Sequence, residues 1–303
     1  MAKKPIRRIL PIVLAGCAGI AVFLFYGPFE GFRRLWINTV MYSSRHQFLA
    51  TMLYSRDYIG RVLEIPFPME QTNPESLDNL PGNEVLFAEL KGDYYRGYII
   101  KIEDPRRLSL VSTADGKGEL LEDLVASHQG LGGVNGAGYR DHIERGLPWG
   151  TLIIDGDLVS PCNEHMEHSI GGLTKANKLV VGRMIEHEIT AQNYKWAFEF
   201  GPILIINGEK TELHPYSGGL APRTAIGQTS EGHILLVVID GRQISSIGAT
   251  FSDVQNILYE NGAINAISLD GGASSCLVYQ GELISKPSEG DQGRLLPNAL
   301  VYK

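Results

Sequence analysis

Ile267-Ser268-Leu269-Asp270-Gly271-Gly272-Ala273-Ser274-Ser275 runs an apolar strand into an acid, paired glycines and paired hydroxyls. The apolar half is short and rich in branched residues, which is strand content rather than helix content. Glycines directly after a strand let the backbone approach a ligand closely, and successive N–H groups there can form an anion-binding nest. Asp270 is then either a carboxylate held rigidly beside that nest or the capping acid of a tight turn. Val237-Val238-Ile239-Asp240-Gly241-Arg242 repeats the pattern, and Asp240 is either a second carboxylate or the first residue of a turn.

Short apolar runs bounded by turn signals recur on both sides of these segments, at 85–90, 94–102, 108–112, 151–154, 178–181, 203–206, 234–239, 266–269, 275–279 and 299–302. Their β-branched and aromatic content predicts strands. Two helices are expected, at 120–127 and at 252–261. In the second, Thr250 or Ser252 offers an N-cap, Val254, Ile257 and Leu258 fall at helical spacing, and Asn261-Gly262 stops it. The fold class that follows is α+β: a strand-rich single domain with a mixed β-sheet and a few flanking helices, preceded by an N-terminal transmembrane helix.

That last element is read from the run Ile9 to Tyr26, which is almost wholly apolar, follows Lys3, Lys4, Arg7 and Arg8, and precedes the first acid, Glu30. As a helix it reaches about 27 Å, close to the ~30 Å of a bilayer core. A basic flank stays cytoplasmic, so the remainder of the chain is expected outside the cell membrane, although Arg33 and Arg34 weaken the asymmetry. An uncleaved anchor is the leading reading; a lipoprotein signal ending at Cys17 and a cleaved signal peptide are the alternatives. The aromatic segment 31–58 then reads as a membrane-proximal stalk, and Pro66, Pro68, Asn73, Pro74 and Pro81 mark a linker. The domains are therefore 1–30 flank and anchor, 31–83 stalk and linker, and 84–303 the globular domain.

Composition bounds the function. The chain of 303 residues is 44% hydrophobic and 20% charged, enough for one sizeable core. A net charge of -7 argues against a nucleic-acid-coating protein, which needs excess Lys and Arg. Glycine, 35 of 303 residues, concentrates in loops of the second half. Cys17, Cys162 and Cys276 are too few and too widely spaced for a disulfide framework, and unpaired thiols are favoured over a Cys162–Cys276 bridge. His165 and His168 near Glu164 and Glu167, with His187 between Glu186 and Glu188, are weak metal candidates read mainly as surface or structural groups. No cofactor is expected.

Two further segments can carry chemistry. Gly132-Gly133-Val134-Asn135-Gly136-Ala137-Gly138-Tyr139 places the Asn135 amide, suited to sugar hydroxyls, in an open turn, or is a plain hairpin loop. Ala221-Pro222-Arg223-Thr224-Ala225-Ile226-Gly227 sets an arginine just before a strand. Its guanidinium can hold phosphate oxygens, with Thr224 adding a hydroxyl, or it makes a structural ion pair.

In this order, the turn at Asn135, Phe200-Gly201-Pro202, Pro222 to Gly227, Asp240-Gly241-Arg242, Leu269-Asp270-Gly271-Gly272 with Ser274 and Ser275, and Arg294 with Pro297-Asn298-Ala299 resemble the phosphodiester glycosidase family over residues 84–303. The anchor and stalk are similar to bacterial surface members associated with exopolysaccharide production. The resemblance implies hydrolysis of a sugar joined through its anomeric oxygen to phosphate, in a surface glycan. It implies Asp270 as the carboxylate at the anomeric carbon, Arg223 with the glycine-turn amides as the anion site, and Asp240 as a second acid/base. Asn135, Gly136, Thr224, Gly271, Gly272, Ser274, Ser275, Arg294 and Asn298 are the implied substrate-binding set. Two departures are Ala273 at the family's usual third glycine and Gly136 to Tyr139 in place of its phenylalanine region. The partners expected are a glycan or sugar-phosphate substrate and the membrane, with no nucleic acid. The competing functions are a non-catalytic carbohydrate-binding or scaffold protein of exopolysaccharide synthesis and a P–O-cleaving phosphodiesterase acting on teichoic-acid-like polymers.

Overall fold

The computed structural model describes residues 19, 22–41, 47–55, 58–59, 62, 82–113, 117–139, 148–161, 167–213 and 218–303. The chain divides into two compact units, Met1–Pro66 with His214–Gly218, and Phe67–Leu213 with Gly219–Lys303. In the first, helices Glu30–Met41 and Gln47–Leu53 bring Ile37, Val40 and Ala50 into a small buried cluster with Ile59 and Val62. Trp36 and Tyr54 meet edge to face at its margin, 6.2 Å between centroids. Most of the apolar run expected to span a membrane lies outside the described residues. Among those described, no helix is long and apolar enough to cross one.

The second unit is built from three sheets. The large sheet has the order β1-β2-β13-β12-β14-β10-β11, formed by Val85–Lys91, Arg96–Ile102, Ile234–Ile239, Arg223–Thr229, Ala263–Ser268, Ile203–Ile206 and Glu209–Lys210. The second has the order β16-β15-β4-β17-β3: Glu282–Leu283, Leu277–Tyr279, Gly132–Asn135, Asn298–Tyr302 and Leu108–Ser112. The third has the order β6-β5-β9-β7-β8: Asp157–Ser160, Leu152–Ile154, Tyr194–Glu199, His168–Thr174 and Leu179–Met184. The strand-rich α+β reading holds. Where a mixed sheet was expected, every pairing between described strands is antiparallel.

Residue pattern explains the layering. β13 is apolar at every position because both of its faces are covered, so the usual alternation disappears. Ile234, Leu236 and Val238 enter the central core with Val134, Leu300, Trp196 and Phe198 from the other two sheets. Leu235, Val237 and Ile239 face the opposite way, onto Val254, Ile257 and Leu258 of the helix Phe251–Glu260. That helix starts at Thr250, whose side chain accepts from Asp253 N–H while Asp253 reaches back to Thr250 N–H, a capping box. The second expected helix, Leu121–Ser127, covers the second sheet with Leu121, Leu124 and Val125.

Cys276 is a buried free thiol, pushed up to about 12 by its burial. Cys17 and Cys162 lie outside the described residues. So do Glu164 and His165 of the weak metal set; His168 begins β7, and among the described residues no group of acids, His and Cys could hold a metal.

Candidate active site

Antiparallel register brings the signal segments together. β12 lies between β13 and β14 and runs opposite to both, so its first residue meets their last ones. Arg223 is paired with Ile239, and Leu269 N–H donates to Thr224 O at 2.8 Å. Asp240 and Asp270 therefore leave their strands on either side of Arg223. The second sheet enters through Asn135 at the end of β4 and Asn298 at the start of β17, where Ala299 pairs with Asn135. The Phe200-Gly201-Pro202 segment joins them, since Ser268 N–H donates to Pro202 O at 3.0 Å and the Phe200 ring packs over Gly138.

Asn135 ties these elements into one body. It is fully buried, and its Nδ2 donates to Asp270 O at 2.6 Å. Its Oδ1 accepts from Thr224 Oγ1 at 2.7 Å and from Cys276 N–H at 3.2 Å. Asp270 N–H in turn donates to Gly136 O at 3.2 Å. The sequence suits the Asn135 amide to sugar hydroxyls and the Thr224 hydroxyl to phosphate oxygens. Both are buried and bonded within the protein, the Thr224 hydroxyl to Asn135 and the Asn135 amide to the Asp270 backbone.

The glycine turn differs from its expected form in the same way. Asp270, Gly272, Ser274, Ser275 and Cys276 donate their N–H groups to Gly136 O, Pro222 O, Gly271 O, Gly272 O and Asn135 Oδ1. Only Gly271 and Ala273 could offer an amide to an anion, so the successive-amide nest is not built, and positive charge at the turn comes from guanidinium groups. Ala273 in place of glycine is tolerated because the left-handed residue of this turn is Gly272, φ 63°.

Arg223 is buried, as a structural reading would have it. Its Nε donates to Ala249 O at 3.1 Å, one terminal nitrogen donates to Gly219 O at 2.9 Å, and the guanidinium lies 3.8 Å from the Phe251 ring centroid. Its other terminal nitrogen approaches Gly271, 4.0 Å from where a Cβ would stand. Asp240 is 4% exposed, and its carboxylate accepts from Lys286 N–H at 2.9 Å and from Tyr98 OH at 3.4 Å. Burial outweighs these bonds and raises it to about 6. The same burial, with the Asp240 charge beside it, pushes Tyr98 up to about 12.

Two buried polar atoms of the implied set, Ser275 Oγ and Asn298 Nδ2, find no partner among the described residues. Asn298 Oδ1 is engaged, accepting from Ala137 N–H at 2.6 Å. Ser274 is buried in the same turn. Arg294 stands over the Tyr139 ring, 5.0 Å from its centroid, and Tyr139 OH donates to Leu295 O. Next to Phe200 in the chain, Glu199 pairs with His168, one of the histidines named above: His168 Nδ1 and Glu199 Oε1 are 2.8 Å apart, and Glu199 Oε2 accepts from Thr151 N–H. Glu199 closes β9 just before the Phe200-Gly201-Pro202 segment, and only the pairing of β7 with β9 sets it against His168.

Residues 129–303, more than half of the chain, match the model of the phosphodiester glycosidase family. The chain belongs to that family. Mouse N-acetylglucosamine-1-phosphodiester alpha-N-acetylglucosaminidase is 24% identical over 76% of this chain and 48% of its own length. An uncharacterized SPbeta prophage-derived protein of Bacillus subtilis, YomE, is 42% identical over 23% of this chain and 11% of its own length. This chain thus spans about half or less of these relatives. Among solved structures, the catalytic domain of zebrafish N-acetylglucosamine-1-phosphodiester alpha-N-acetylglucosaminidase, auto-inhibited by its pro-peptide, superposes with a TM-score of 0.61 at 23% identity, covering 77% of this chain and 87% of that one. A hypothetical protein from Synechocystis superposes at 0.53 with 15% identity, over 72% of this chain and 61% of its own. These two likenesses show a shared fold.

Proposed function

We propose that this protein hydrolyses glycosyl phosphodiesters, releasing a free sugar and a phosphomonoester. The observation that carries the reading is the convergence of Asp270 and Arg223 at the ends of neighbouring interior strands, with the Asp270 C=O and N–H both held by the Asn135-Gly136 segment. In the reaction, water oxygen becomes bonded to the anomeric carbon as the C–O bond to phosphate breaks, and the bonding pair leaves on the phosphate oxygen. The half-buried Asp270 carboxylate stabilises positive charge on the sugar, or accepts the proton of water, as the bond lengthens. A phosphate is already a good leaving group and needs charge stabilisation more than a proton. Asp240, near 6, is mostly ionised at neutral pH and suits a proton acceptor or positioning group better than a general acid. Ser275 Oγ and Asn298 Nδ2, orphaned beside Asn135, are donors a sugar hydroxyl or a water would satisfy.

The same reading places the domain outside the cytoplasm with a surface glycan as substrate, supported by the basic-flanked apolar run at residues 9–26. Hydrolysis by the full chain in ¹⁸O-labelled water tests the chemistry. Label in the sugar is expected; label in the phosphate would show a P–O-cleaving phosphodiesterase, and unconverted substrate that still binds would show a carbohydrate-binding protein. Protease accessibility of the domain in intact cells tests the location, and protection in cells that are digested after lysis would overturn it.

A further inference from the structure

Arg242 closes the Asp240-Gly241-Arg242 motif, and no role in the site has been attached to it. Its backbone is left-handed, φ 59°, a conformation that costs a non-glycine residue energy and persists only where neighbours enforce it. The loop does enforce it. Arg242 N–H donates to Ile247 O at 3.0 Å, and Gln243 and Ser246 exchange backbone hydrogen bonds of 3.0 and 3.2 Å. Ser246 Oγ donates to Asp240 O at 2.6 Å, and Gln243 Nε2 donates to Lys286 O at 2.7 Å.

The result is a guanidinium laid against the Asp270 turn. One terminal nitrogen lies 3.1 Å, and the central carbon 3.7 Å, from the point a Gly272 Cβ would occupy. Arg223 and Arg242 thus flank consecutive glycines of one turn in opposite states. Arg223 is buried, bonded to two carbonyls and stacked on Phe251. Arg242 is exposed, and its guanidinium makes no hydrogen bond or ion pair among the described residues. With most of the turn's amides already committed, Arg242 is the cation there whose donors stay available to an anion, and a guanidinium fork matches phosphate oxygens.

We propose that Arg242 binds the phosphate of the substrate and of the phosphomonoester product, while Arg223 acts beneath it as a positioning residue. This rests on the glycosyl phosphodiester reading for the reaction but not for anion binding. The test compares the full-length protein with Arg242→Gln and Arg242→Lys, using inorganic phosphate in calorimetry and a glycosyl 1-phosphate methyl diester in steady-state kinetics. Arg242→Gln is expected to weaken phosphate binding and to raise KM about 10- to 100-fold, with kcat within about threefold, and Arg242→Lys is expected to recover part of the loss. Unchanged phosphate affinity in a folded Arg242→Gln protein overturns the inference, as does a wild type that fails to bind phosphate at about 10 mM. A wild type that binds phosphate through Arg242 yet leaves the diester intact supports the inference and removes the reaction instead.

Discussion

Asp240 and Asp270 end adjacent-but-one strands of a single sheet, each followed by glycine, yet they differ in burial and in the elements that hold them. At Asp240 the carboxylate itself is bonded, to Lys286 N–H and Tyr98 OH, and is shut away from solvent. At Asp270 the side chain is half-buried at the turn and the backbone is tied across sheets, through N–H to Gly136 and through C=O to Asn135, whereas the Asp240 backbone is tied within its own sheet and loop, through N–H to Arg96 and through C=O to Ser246. The same local sequence pattern makes a buried acid in one place and a half-buried acid in the other. What separates them is depth of burial and which sheet holds the backbone.

The strongest way to break this contrast is to neutralise each acid in turn. Asp270→Asn is expected to lower kcat by about 10³-fold or more with little change in melting temperature, whereas Asp240→Asn should change kcat less than about tenfold. The reverse ranking in sugar-release assays would exchange the two roles. Removing the residue that fixes Asp270 is next in size. Asn135→Ala orphans the Asp270 carbonyl, the Thr224 hydroxyl and the Cys276 amide in a buried place, and should cost roughly 3–5 kcal/mol in urea unfolding. A loss below about 1 kcal/mol would show that the tie across the sheets is slack.

Asp240 has a pH signature of its own. Its folded value of about 6 lies above the ordinary 3.8, so between those limits the native state holds a proton that the unfolded chain has released. The stability it contributes is fully present below about pH 4 and is lost as pH climbs through 6, by about 3 kcal/mol in all. Denaturation midpoints of wild type and Asp240→Asn across pH 4–7 should converge at the acid end and separate towards neutrality, the variant being the more stable. Parallel curves would place the carboxylate in a wetter setting. The smallest effect belongs to Tyr98→Phe, which removes a long 3.4 Å hydrogen bond and should cost about 0.5–1 kcal/mol while raising Asp240 further. A lowered Asp240 value in carboxyl-resonance titration would contradict that.

Legibility followed the range of the interactions. β13 and the helix Phe251–Glu260, with its Thr250 cap, were readable because an apolar run and a capping box are local. β4 and β7 escaped because their glycines and polar residues lack strand content, while β9 alternates Tyr194, Trp196 and Phe198, a strand signal that was there to be read. Gly171, within β7, is glycine because a Cβ there would meet Ile267 of the large sheet at 2.6 Å, a reason that exists only after packing. The site was readable as residue types: Asp270, Arg223, Asp240, Asn135 and Asn298 all reach these strand ends or the strands that border them. Their division of labour was not, because hydrogen bonds between residues more than a hundred positions apart decide it.

The sequence by itself determined the strand-rich class, the order of the family's motifs and the chemical character of the turn at Asp270. Only the tertiary structure decided that the Asn135 amide holds the protein together, that most of the turn's N–H groups are spent, and that of two arginines Arg242 keeps its donors open. Residue type sets what a group can bond to; antiparallel register and burial set which of those bonds the protein has already taken.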